Sequence, residues 1–179
     1  LIVHVGDYIY ETSWGEQRVR HHEGGECYSL GDYRARYAQY RTDPDLQAAH
    51  AACPWLVTWD AHEVDNDYAG DISEEDDDPA MMRLRRAAAC QAYYEHLPLP
   101  RRALPFGADL RLYGQRIFGD LVNVLLLDGI HASYVPEGKP LGAGGVIRDE
   151  DLDSYLVFAR EAAATPPALL GRVLRDVQQ

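Results

Sequence analysis

The chain has 179 residues, with 17 basic and 29 acidic side chains and a formal charge of −12, a length that suits one domain with a buried core. Hydrophobic residues at 46% and charged residues at 26% exclude a wholly disordered chain. No apolar run approaches the ~20 residues of a membrane span, and strong acidity opposes binding along a nucleic-acid backbone. The charge is local: ten acids and no Arg or Lys lie between Asp60 and Asp78, against nineteen acids and seventeen bases elsewhere.

The chain opens directly on Leu1-Ile-Val-His-Val5, a β-branched run closed by Gly6-Asp7 that predicts a buried strand. This start reads as the edge of a piece of a longer protein. Residues 11–30 are polar and Gly-containing, hence loop. Ser29 to Asp32 offer caps for a helix through Tyr33–Arg41, with tyrosines at 33, 37 and 40. Asp43-Pro44 predicts a second helix to about Ala52, stopped by Pro54. Trp55–Trp59 is a second strand ending at Asp60, and an acidic loop follows. Asp78-Pro79 opens a third helix through Tyr94, ended by Pro98 and Pro100. Leu110–Tyr113, Gly114–Phe118 and Leu121–Leu127 read as two or three strands, residues 136–150 as a Gly/Pro-rich loop, and 152–164 and 167–177 as helices. Strands alternating with helices imply an α/β class with some parallel strands.

Apolar strands that end in a carboxylate recur at Asp7, Asp60 and Asp128. The carboxyl ends of strands line the crevice of open α/β sheets, so Asp7 and Asp60 there would aim hard oxygen ligands into one pocket, suited to Ca²⁺, Mg²⁺, Mn²⁺ or iron. Alternatively, each Asp caps the turn that follows it. Tyr10 and Glu11 trail Asp7, while His62, Glu63, Asp65, Asn66 and Asp67 trail Asp60. A histidine among carboxylates is open to three roles: metal ligand, acid for a leaving oxygen, or donor to a phosphoryl oxygen.

Four segments carry a resemblance. Gly6-Asp-Tyr-Ile-Tyr-Glu11, Tyr33 through His50, Trp55-Leu-Val-Thr-Trp-Asp-Ala-His-Glu-Val-Asp-Asn66 and Arg85 through Pro98, followed by Leu110-Arg-Leu-Tyr and Phe118-Gly-Asp-Leu, resemble the PhoD family of alkaline phosphatases and phosphodiesterases. The resemblance runs from about Ile2 to Asp128. It implies a metallophosphoesterase-like β-sandwich flanked by helices, incomplete in this chain. The partial domain would span 1–135, with 136–179 of unrecognised role. It further implies an Fe³⁺ and Ca²⁺ cluster, phosphate mono- and diester substrates and an extracytoplasmic location. Asp7, Tyr10, Asp60 and Asn66 would be metal ligands, with Tyr10 a phenolate on iron. His62 and Asp60 would be catalytic, and His4, Glu11, Glu63 and Asp67 would support them.

The chain also departs from that pattern. Ala61 stands where the family has a second Asp, and Asp67 where it has a second Asn. Asp128-Gly-Ile-His131-Ala-Ser-Tyr134 lacks the Arg expected after the third strand. The family's upstream metal motif and C-terminal histidines have no counterpart, so the chain reads as the middle of such an enzyme. A non-catalytic remnant that binds Ca²⁺ or a partner through residues 60–78 is the alternative. Asp65 to Asp76 fails as an EF-hand, because Ala69 and Asp76 sit where ligands are required. Gly142-Ala-Gly-Gly145 is a turn, and Cys27, Cys53 and Cys90 are unremarkable thiols. Arg83, Arg85 and Arg86 are expected to pair with the acidic run at 74–78.

Overall fold

The computed structural model describes residues 1–13, 18, 20–73, 75 and 78–126. The sequence expectations for Asp128, His131 and the C-terminal loop and helices lie outside the described residues.

Strand β1 (Ile2–His4) pairs in parallel with β2 (Trp55–Val57), register Ile2 with Trp55 and His4 with Val57. The crossover between them carries α1 (Leu30–Arg41) and α2 (Pro44–Ala52). Ser29 and Asp32 close a reciprocal capping box on α1, and the Asp43 side chain accepts from the Leu46 amide at the start of α2. Pro44 occupies the first turn of α2, where its missing N–H leaves nothing unpaired. Helix α3 (Pro79–His96) repeats this device, with the Asp78 side chain accepting from the Ala80 amide, and runs two residues past the expected end.

Residues 110–113 form no strand: Leu110 and Leu112 are buried, but the only ladder beyond α3 among the described residues is the antiparallel hairpin of β3 (Gly114–Phe118) and β4 (Val122–Leu126). The alternating Leu-Arg-Leu-Tyr pattern anchors an extended segment on the core by its two leucines. Among the described residues the strands thus form two separate pairs. The expectation of an α/β chain with parallel strands agrees with this arrangement.

The core lies between α1, α3 and the ends of β1 and β2. Tyr33 and Tyr37 of α1 are fully buried against α3, whose Ala89 and Ala92 leave room for rings. Tyr37 stacks on His96 at 5.0 Å, and Trp59 meets Tyr93 at 5.6 Å. Burying each such ring stabilises the fold by about 1.5–3 kcal/mol.

Outside the core, Arg34 of α1 grips Glu95 of α3 through two hydrogen bonds of 2.7 and 2.6 Å. Those bonds, with one from Gln91, hold the Glu95 carboxyl down at about 2. A depressed carboxylate contributes stability above its ordinary range and loses it as pH falls through the folded value. Arg34→Ala is therefore expected to lower stability only slightly at neutral pH, as for an exposed ion pair. Urea titrations should show the gap to wild type closing between about pH 4.5 and 2.

The described partners of the arginine cluster differ from the acidic run. Arg83 and Arg86 both reach Asp71, while Arg85 binds Glu26 and Asp65. Residues 74, 76 and 77 are outside the described set. The reason for these pairings is burial: Arg85 and Arg86 face the interior, and a guanidinium there needs several planar acceptors close by.

Candidate active site

Parallel pairing puts the carboxyl ends of β1 and β2 side by side, and the Thr58 amide extends the ladder by donating to the His4 carbonyl at 3.0 Å. The chain then turns sharply through Gly6 at φ +111° and Asp7 at φ +55°. Gly6 lies against the Trp59–Asp60 backbone so closely that an added Cβ would come within 2.5 Å of Asp60 Cβ and 2.7 Å of the Trp59 carbonyl carbon. This contact sets Asp7 beside Asp60. Asp60 is exposed and opens a one-turn 3-10 helix, Ala61–Glu63, with its Oδ1 accepting from the Ala61 amide.

Glu63 ties the two strand ends together. Its carboxyl is fully buried; Oε2 accepts from the Asp60 amide at 2.7 Å and the Asp7 amide at 3.1 Å, and Oε1 from the Tyr8 amide. Burial pushes the Glu63 carboxyl up to about 8, against the pull of those three amide donors. The family resemblance implies only a supporting role for Glu63. The signal for its larger role is the Asp60-x-x-Glu63 spacing, which is that of a capping box.

Tyr10 and Glu11 follow on the same segment. The Tyr10 hydroxyl hydrogen-bonds to the Asp7 carboxylate, and burial with Asp7, Glu63 and Asp60 nearby raises its pKa. Its ring lies over the His62 ring at 4.4 Å. Glu11 is buried; Oε2 takes His62 Nδ1 at 2.9 Å and Oε1 the Asn66 amide at 3.2 Å. Glu11 thereby holds both the His62 ring, through Nδ1, and the loop of Asn66.

Asp7, Tyr10, Glu11, Asp60, His62, Glu63 and Asn66 are thus brought to one end of the β1–β2 pair. The other two candidates lie differently. His4 packs its ring against Tyr8 and Trp55 and accepts the Gly6 amide on Nδ1 at 3.4 Å, so it supports the turn from behind. Asp67 is exposed, with a left-handed backbone at φ +47°.

The donors suit a hard cation. Asp7 Oδ1 is buried with no hydrogen-bond partner among the described residues, a costly condition for a carboxylate oxygen that a cation would relieve. Tyr10 lies near the Asp7 carboxylate, with the charge of Asp60 also acting on its hydroxyl. Among the described residues, however, no three His, Cys, Asp or Glu side chains converge as a metal-binding group.

The PhoD-like phosphatase family model matches residues 1–133. Alkaline phosphatase D of Bacillus subtilis (strain 168) is 50% identical over 133 residues, which is 72% of this chain and 23% of that protein. A solved structure described as PhoD is 50% identical with a TM-score of 0.68, covering 71% of this chain and 25% of that one. The chain spans about a quarter of the length of these relatives. No described helix is long and apolar enough to cross a membrane. With half its residues identical across the segment that builds the Asp7–Asp60 wall, the chain belongs to the PhoD-like phosphatase family.

Proposed function

We propose that this chain carries the β1–β2 wall of a metal-dependent phosphoester hydrolase acting on phosphate mono- and diesters, within a metallophosphoesterase-like sandwich completed by further chain. The observation that supports this best is the meeting of Asp7 and Tyr10 with the Asp60–Glu63 turn, where Asp7 Oδ1 is buried without a partner among the described residues. Asp7, Tyr10, Asp60 and Asn66 would hold Fe³⁺ and Ca²⁺, as the resemblance implies. When bound, these cations would neutralise phosphoryl oxygens and raise the electrophilicity of phosphorus. His62, held on Nδ1 by Glu11, would present Nε2 to the leaving oxygen or to a phosphoryl oxygen. An extracytoplasmic location is consistent with this family reading.

Hydrolysis of p-nitrophenyl phosphate and its bis-ester by the full chain tests the proposal. His62→Asn is expected to lower kcat by about 10²–10⁴-fold, the range of a lost acid–base group. Asp7→Asn should abolish metal-dependent turnover. Iron-loaded wild type should show a visible phenolate absorption that Tyr10→Phe removes; an unchanged band would take Tyr10 out of the site.

A non-catalytic remnant that binds Ca²⁺ or a partner through residues 60–78 is favoured by Ala61, which stands where the family pattern has a second Asp. Calcium affinity with no hydrolysis of either ester would establish that reading instead.

A further inference from the structure

Arg36 lies in the middle of α1, on the buried stripe of Tyr33 and Tyr37, and is 3% exposed. No described carboxylate forms a salt bridge with it. Nη1 donates to the Tyr10 carbonyl at 2.5 Å and to His22 Nδ1 at 2.5 Å, and Nη2 donates to the Gly25 carbonyl at 2.8 Å. His22 also takes the Ser13 hydroxyl on Nδ1 at 3.0 Å, which leaves its Nε2–H to donate to the Tyr40 hydroxyl at 3.0 Å. The imidazole is the neutral tautomer, and burial with the Arg36 guanidinium lowers its pKa. Burying a guanidinium without a carboxylate is expensive, and a stripe needed only for packing would be served by an apolar side chain. What Arg36 adds is three directed donors in one rigid plane, which an ammonium cannot reproduce.

Those donors converge behind the candidate site. The Tyr10 hydroxyl faces Asp7 while its carbonyl is held by Arg36, and the next carbonyl, that of Glu11, accepts the Cys27 amide at 3.0 Å. Gly25, two residues before Cys27, is the other carbonyl on the guanidinium. We propose that Arg36 is a positioning residue for the hydrolytic site: it locks the Tyr10–Glu11 backbone, and through it the Glu11 carboxylate that orients His62. The phosphoester reading above underlies the catalytic half of this inference; the mechanical half stands on the hydrogen bonds alone. Displacing Glu11 by a fraction of an ångström misaligns His62 without removing any group that touches substrate.

Arg36→Met keeps the apolar stem and removes every donor, while Arg36→Lys keeps the charge and loses the fork. Both are made in the full chain and read in three ways. Amide exchange at Cys27 should accelerate on the order of tenfold while exchange at Ala89 in α3 stays as in wild type, marking a local opening. With p-nitrophenyl phosphate, kcat should fall on the order of 10- to 100-fold with KM within about twofold, the signature of a misaligned group rather than lost binding. The lysine variant should rescue neither. Unchanged Cys27 exchange in both variants, or full rescue by lysine, would overturn the proposal, and so would an unchanged kcat beside faster exchange. If wild type hydrolyses neither ester, the phosphoester reading and the catalytic half of the inference both fail. Exchange at Cys27 then decides the mechanical half by itself.

Discussion

Gly6→Ala is expected to destabilise the protein by about 2–5 kcal/mol, combining a strained backbone with an overpacked contact. The strain comes from φ +111°, a conformation closed to ordinary L-residues. The overpacking comes from the Asp60 amide nitrogen, Asp60 Cβ and the Trp59 carbonyl carbon, all of which an added methyl would strike. These are backbone and near-backbone atoms, so no side-chain rotation relieves the clash. Gly24→Ala is the matched control: its φ is +83° and nothing lies within 4 Å of the added Cβ. That substitution should cost only the strain, about 1–2 kcal/mol. Urea midpoints of the two variants separate the effects. Equal losses would mean that the close approach of Gly6 to Asp60 is no constraint. Any Gly6→Ala protein that folds should also lose hydrolysis, because Asp7 and Asp60 are forced apart.

Glu63→Gln is the second large effect. A carboxyl offers acceptor lone pairs on both oxygens, and three amide donors use them. A carboxamide accepts on one oxygen only, so its NH₂ opposes the Tyr8 amide or the pair from Asp7 and Asp60. The expected cost is on the order of 3 kcal/mol, from an unsatisfied buried donor and the displaced turn. The loss should vary with pH in a defined direction. The folded value, pushed up to about 8, exceeds the ordinary 4.5, so the protonated carboxyl contributes stability that is full below 4.5 and lost as pH rises toward 8. The carboxamide of the variant does not titrate. The stability gap between wild type and variant, measured on metal-free protein, should therefore narrow from pH 5 to pH 8. A gap that widened with pH would show that the amide donors outweigh burial and keep Glu63 ionised.

These two residues also mark how far the sequence could be read. The starts of α1, α2 and α3 were legible because their signals are local: Ser29 with Asp32, Asp43-Pro44 and Asp78-Pro79 act within one turn of the chain. The candidate site residues were legible as types, since Asp7 and Asp60 each terminate an apolar strand. Leu110–Tyr113 left the number of strands open at two or three, because alternating apolar residues describe a buried unpaired segment as well as a paired strand, and pairing is decided by a partner elsewhere in the chain.

By itself, then, the sequence determined the family motifs, the local caps and the concentration of acid between Asp60 and Asp78. Only the tertiary structure decided what Glu63, Glu11 and Arg36 do. Glu63 meets Asp7 and Tyr8 across 56 and 55 residues, Glu11 meets His62 across 51, and Arg36 meets Tyr10 across 26. A buried charge declares its role through the donors and acceptors that surround it, and those arrive only when β1 and β2 lie side by side.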